Sequence, residues 1–61
     1  MEKSKYMSDD ELRELNARRV KAWEVPKDAV YVGQLWLPYG NEDFYRLSDG
    51  TYIYTYYSIG D

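Results

Sequence analysis

The chain has no cysteine and no histidine among its 61 residues. No Ser-His-Asp or Cys-His nucleophile can therefore be assembled, and no disulfide can staple the fold. A transition metal would lack its preferred imidazole and thiolate donors, and neither NEDF nor SDG has the spacing of a calcium loop. The glycines stand apart at positions 33, 40, 50 and 60, so no glycine-rich cradle for a phosphate occurs. No apolar run approaches the roughly 20 residues that cross a bilayer, and MEKSKYMSDDEL offers no apolar stretch for a signal peptide. These absences lead us to expect a protein that is not an enzyme, carries no cofactor or metal and stays off the membrane. The lack of disulfide chemistry favours a cytoplasmic setting.

What the chain does have is aromatic surface. Eight tyrosines, two tryptophans and one phenylalanine make up 18% of it, and 44% is hydrophobic, enough to fold rather than stay disordered. At this length one domain is the ceiling, and its core supplies only about 3 to 5 kcal/mol. The formal charge is −3. From Glu24 onward only Lys27 and Arg46 oppose Glu24, Asp28, Glu42, Asp43, Asp49 and Asp61, so the second half is acidic.

The organisation follows from local signals. Residues 1–7 lack periodicity and read as a flexible arm ahead of a single domain over 8–61. Ser8 followed by Glu11 matches a capping box, and Asp9, Asp10 and Glu11 suit the positive end of a helix dipole. The pattern predicts a helix over about 9–23, with Leu12, Leu15, Arg19, Ala22 and Trp23 on one face and Pro26 ending it. Arg19 on that face either lays its stem along apolar surface or marks a contact with an acidic partner.

Strands are expected over about 29–37, 43–47 and 51–58. Gly33 interrupts the first and marks a bulge or a close approach, and Pro38 and Gly40 suit a turn after it. Asp49-Gly50 signals a hairpin with two candidate registers. A two-residue turn sets Tyr45 against Tyr54. A three-residue loop with a left-handed Gly50 sets Tyr45 against Ile53 and gives the cleaner core. The expected fold is α+β, one N-terminal helix packed on a three-stranded antiparallel β-meander.

Four of the six residues from Tyr52 to Tyr57 are tyrosine. Strand alternation sends Tyr52, Tyr54 and Tyr56 to one face and Ile53, Thr55 and Tyr57 to the other, and one helix covers one face. Tyrosine is a good strand residue in its own right, so the cluster has a structural explanation. The functional expectation is a protein-binding module, a small inhibitor or regulator of a larger protein. Its patch comprises Tyr52, Tyr54, Tyr56, Phe44 and Trp36, with Arg46, Glu42 and Asp43 at its margin. Size and charge of this kind fit a phage or mobile-element accessory protein. A narrower form of the expectation has Glu42, Asp43, Asp49 and Asp61 standing in for phosphates against a nucleic-acid-binding partner. The alternative is single-stranded nucleic-acid binding on the aromatic sheet with the helix arginines, which the acidic second half disfavours. Self-association through an open aromatic face is a third expectation.

Overall fold

A computed structural model of the chain describes residues 6–58. Its first element, α1, spans Asp9–Arg13. The capping box forms as its residues require: the Glu11 amide donates to the Ser8 hydroxyl at 3.2 Å, and the Ser8 amide donates to the Glu11 carboxylate at 2.8 Å. The arm expected before it is anchored from Tyr6 onward. The Met7 amide donates to the Val32 carbonyl at 2.8 Å, and the Tyr6 and Tyr31 rings meet edge to face at 5.4 Å. Residues 1–5 lie outside the described residues.

The helix does not run on to Trp23. After Arg13 the chain becomes extended and forms a two-residue strand, β1, at Arg18–Arg19, followed by a 3₁₀ turn at Ala22–Glu24. The reason lies in the alternation of Leu15, Ala17 and Arg19. Leu15 and Ala17 pack on the core with strand rather than helical spacing. A longer helix would have buried a stripe containing Arg19. The extended segment instead fills backbone positions along a sheet edge that would otherwise stay unpaired. Trp23, expected in the helix interface, is 81% exposed.

The remaining strands are β2 at Val30–Leu37, β3 at Gly40–Arg46 and β4 at Tyr52–Ser58. They form the expected antiparallel meander, but the sheet has four strands in the order β1-β4-β3-β2, with β1 parallel to β4. The correction to a purely antiparallel three-stranded sheet is therefore the Arg18–Arg19 pair, set against Ile53 and Tyr54. The Val20 amide extends the pairing with a 2.9 Å bond to the Tyr54 carbonyl. Among the described residues no helix is long and apolar enough to cross a membrane.

Two irregularities decide which side chains face where. In β2 the pairing slips between Tyr31 and Gly33, which sets Tyr31 opposite Tyr45 but Gly33 opposite Phe44. Gly33 has φ +150°, and a Cβ there would lie 3.0 Å from the Leu12 side chain, so glycine suits both the backbone and the space. The bulge brings Val30 and Val32 onto the same side as Leu35 and Leu37, and leaves Tyr31, Gln34 and Trp36 on the other. In the β3–β4 hairpin the three-residue loop is the one formed. Gly50 has φ +90°, the Leu47 amide donates to the Thr51 carbonyl at 2.8 Å, and Tyr45 pairs with Ile53.

The helix side of the sheet holds the core of Leu12, Val32, Leu35 and Phe44, with Met7, Leu15, Ala17, Tyr52 and Tyr54 packed against it. Each fully buried side chain of this size contributes roughly 1.5 to 3 kcal/mol. Ile53 and Thr55 are buried on the far side.

Candidate interaction surface

Register and alternation assign every strand side chain to one of two sides. On the helix side stand Tyr52, Tyr54, Tyr56, Phe44, Arg46 and Glu42; on the far side stand Trp36 and Asp43. The expected patch is thus divided between opposite faces of the sheet, and its centre is core. Phe44 is buried and stacks on Tyr54 at 5.3 Å between ring centroids. Tyr52 and Tyr54 are half-buried against the same cluster. Tyr56 is half-buried; the Arg19 guanidinium lies 5.3 Å from its ring centroid, and its hydroxyl donates to the Tyr39 carbonyl at 3.3 Å. Arg46 is exposed at the margin of this side.

Because α1 is so short, it leaves part of the helix side open. A cleft of about 320 Å³ is lined by Leu12, Leu15, Ala17, Leu35, Glu42 and Tyr54. Glu42 belongs to that cleft, not to an acidic loop beside the tyrosines.

The far side carries exposed aromatic surface of its own, besides Trp23 in the 3₁₀ turn and Tyr39 in the β2–β3 turn. Across β2, β3 and β4 its rows are Tyr31, Tyr45 and Ile53; then Gln34, Asp43 and Thr55; then Trp36, Asn41 and Tyr57. Trp36 is 65% exposed, Tyr57 46% and Tyr31 36%. The Tyr31 and Tyr45 rings meet edge to face at 5.6 Å, which continues the contact begun by Tyr6.

The middle row is polar. The Asp43 carboxylate accepts from Gln34 at 2.7 Å and from Asn41 at 3.3 Å. Thr55, directly opposite Asp43, has its hydroxyl buried with no hydrogen-bond partner among the described residues. Burial, then the Asp43 charge, raises the phenol of Tyr31 above the ordinary 10.0, and the same two causes in the same order raise that of Tyr45.

Tyr31, Tyr45, Tyr57, Asn41 and Gln34 were not among the residues expected to form a site. Their shared face follows from the bulge at Gly33, which changes the phase of β2. One signal for it is present in the sequence: Val32 and Leu35 are an odd number of residues apart, so only a bulge in the glycine-containing segment between them can bring both to one face.

The four carboxylates considered as phosphate substitutes do not share a face. Glu42 and Asp43 point to opposite sides, and Asp49 in the hairpin loop accepts the Thr51 amide at 3.0 Å and its hydroxyl at 2.7 Å. Asp61 lies outside the described residues. Comparison of the chain with protein-family models, with curated proteins and with solved structures gives no match in any of the three.

Proposed function

We propose that this chain is a non-enzymatic protein-binding module, an inhibitor or regulator of a larger protein, and that it binds through the far side of the sheet. The observation that carries the reading is the segregation of β2. Its Val32 and Leu35 are buried on the helix side, while Trp36 and Tyr31 stay exposed on the opposite side, which also carries Tyr57. Leaving large aromatics in water costs free energy that a partner recovers, and Tyr and Trp are the side chains that most often anchor interfaces. The polar middle row supplies the hydrogen-bonding groups that fix orientation.

Direct nucleic-acid binding has less support. Arg19 and Arg46 belong to the helix side, which leaves Arg18, opposite Ile53, as the basic strand residue of the far side, and Asp43 stands in the middle row of that side, where it repels phosphate. Mimicry of a nucleic acid likewise lacks a face on which the carboxylates converge.

The test is capture of the partner on the tagged chain from a lysate of its source organism, washed across a salt series, for the wild type and the Trp36→Ala/Tyr57→Ala variant. The reading predicts a stoichiometric protein that survives high salt and is lost in the variant, while the variant keeps its thermal stability. Capture of nucleic acid alone, eluted by moderate salt, contradicts it.

A further inference from the structure

Resting on the reading of the far side as the binding face, we infer that it receives a positively charged side chain, an arginine or lysine of the partner, between Trp36 and Tyr57 with Asp43 as the counter-charge. Trp36 and Tyr57 flank the short Asn41 across three strands. At the usual spacing their backbones lie about 10 Å apart, room for a flat guanidinium or an ammonium between two rings. The next row places Asp43 beside that gap.

Among the described residues no basic side chain pairs with this carboxylate. Both amide donors, from Gln34 and Asn41, end on Oδ1, and no hydrogen bond among the described residues uses Oδ2. The ion pair formed among the described residues joins Arg13 and Asp10, not Asp43. A half-buried carboxylate on the same side of the sheet as exposed Trp36 and Tyr57 attracts a cation by charge, by charge-assisted hydrogen bonding and by the ring quadrupoles together. The raised phenols of Tyr31 and Tyr45, each with Asp43 among its causes, register the same negative field. The chain already uses cation-on-ring contacts elsewhere: Arg19 lies 5.3 Å from the Tyr56 ring and Lys21 5.8 Å from the Trp23 ring.

The test uses the full chain with Trp23→Phe, which removes the 81% exposed indole and leaves Trp36 as the fluorescent reporter. It is titrated with a peptide of alternating glycine and arginine, with the corresponding glutamate peptide, and with a single-stranded oligonucleotide. The arginine peptide alone is expected to shift the Trp36 emission. Its affinity is expected to fall about tenfold in Asp43→Asn, the size of one charged contact, and to recover in part in Asp43→Glu. Asparagine can still accept from Gln34 and Asn41, and equal unfolding midpoints verify that the variant is folded.

No response to the arginine peptide, equal affinity in Asp43→Asn, or tighter binding of the oligonucleotide overturns the inference. The failure is separable from failure of the binding face itself. A captured partner lost in Trp36→Ala/Tyr57→Ala but fully retained by Asp43→Asn removes the cation slot and leaves the face standing. A partner retained by both variants removes both.

Discussion

At Gly40 the sheet has no room for a side chain. A Cβ there would run into the Tyr57 carbonyl oxygen and lie 3.0 Å from the Tyr56 ring, so Gly40→Ala is expected to cost about 1 to 3 kcal/mol in urea unfolding. Thr55 poses the opposite case. Its hydroxyl is buried without a partner among the described residues, a penalty of about 1 to 3 kcal/mol, so the near-isosteric Thr55→Val should raise stability by about 1 kcal/mol. A loss of stability on that change would show that the hydroxyl is satisfied in solution. Tyr31 and Tyr45 make a pH-dependent prediction. The folded state holds their phenolic protons more tightly than the unfolded chain does, so their contribution is intact below pH 10 and is lost as pH climbs through the raised values. Absorbance of phenolate should show tyrosines titrating late in the folded protein, and all eight titrating together in urea.

At the scale of elements, α1 is too short to be stable alone, and packing holds it. Leu12→Ala should cost about 2 to 5 kcal/mol, because its side chain is fully buried against Val32, Leu35 and Phe44. Val20→Pro should cost about 1 to 3 kcal/mol by removing the amide that bonds the Tyr54 carbonyl, and amide exchange of the β4 edge should rise with it. Much of this level was legible before the structure. The Ser8 and Glu11 box, the Pro38 turn, the Gly50 loop and its register rest on short-range chemistry that few residues determine. What was not legible depended on competition between distant parts. Residues 14 to 19 satisfy a helical pattern and a strand pattern alike, and the edge of β4, far along the chain, decides between them. The choice of side is non-local for a related reason: alternation within β4 is a local pattern, but which of its faces meets the helix depends on the phase of β2, and one bulge at Gly33 inverts that phase.

For the molecule as a whole, two populations of aromatic side chains lie adjacent in sequence but on opposite sides of the sheet. Tyr52 and Tyr54 stabilise, packed against the cluster that holds Phe44; Tyr57, three register rows beyond Tyr54 and on the other side, joins Trp36 as surface that we propose a partner covers. A chain this small has little stability to spare, so the two roles should differ sharply on truncation. The most direct measurement is the pair of unfolding free energies of Tyr54→Ala and Tyr57→Ala in urea. The account predicts a loss of at least about 2 kcal/mol for Tyr54→Ala and no more than about 0.5 kcal/mol for Tyr57→Ala. A stable Tyr54→Ala beside a collapsed Tyr57→Ala would place the core on the far side and contradict it.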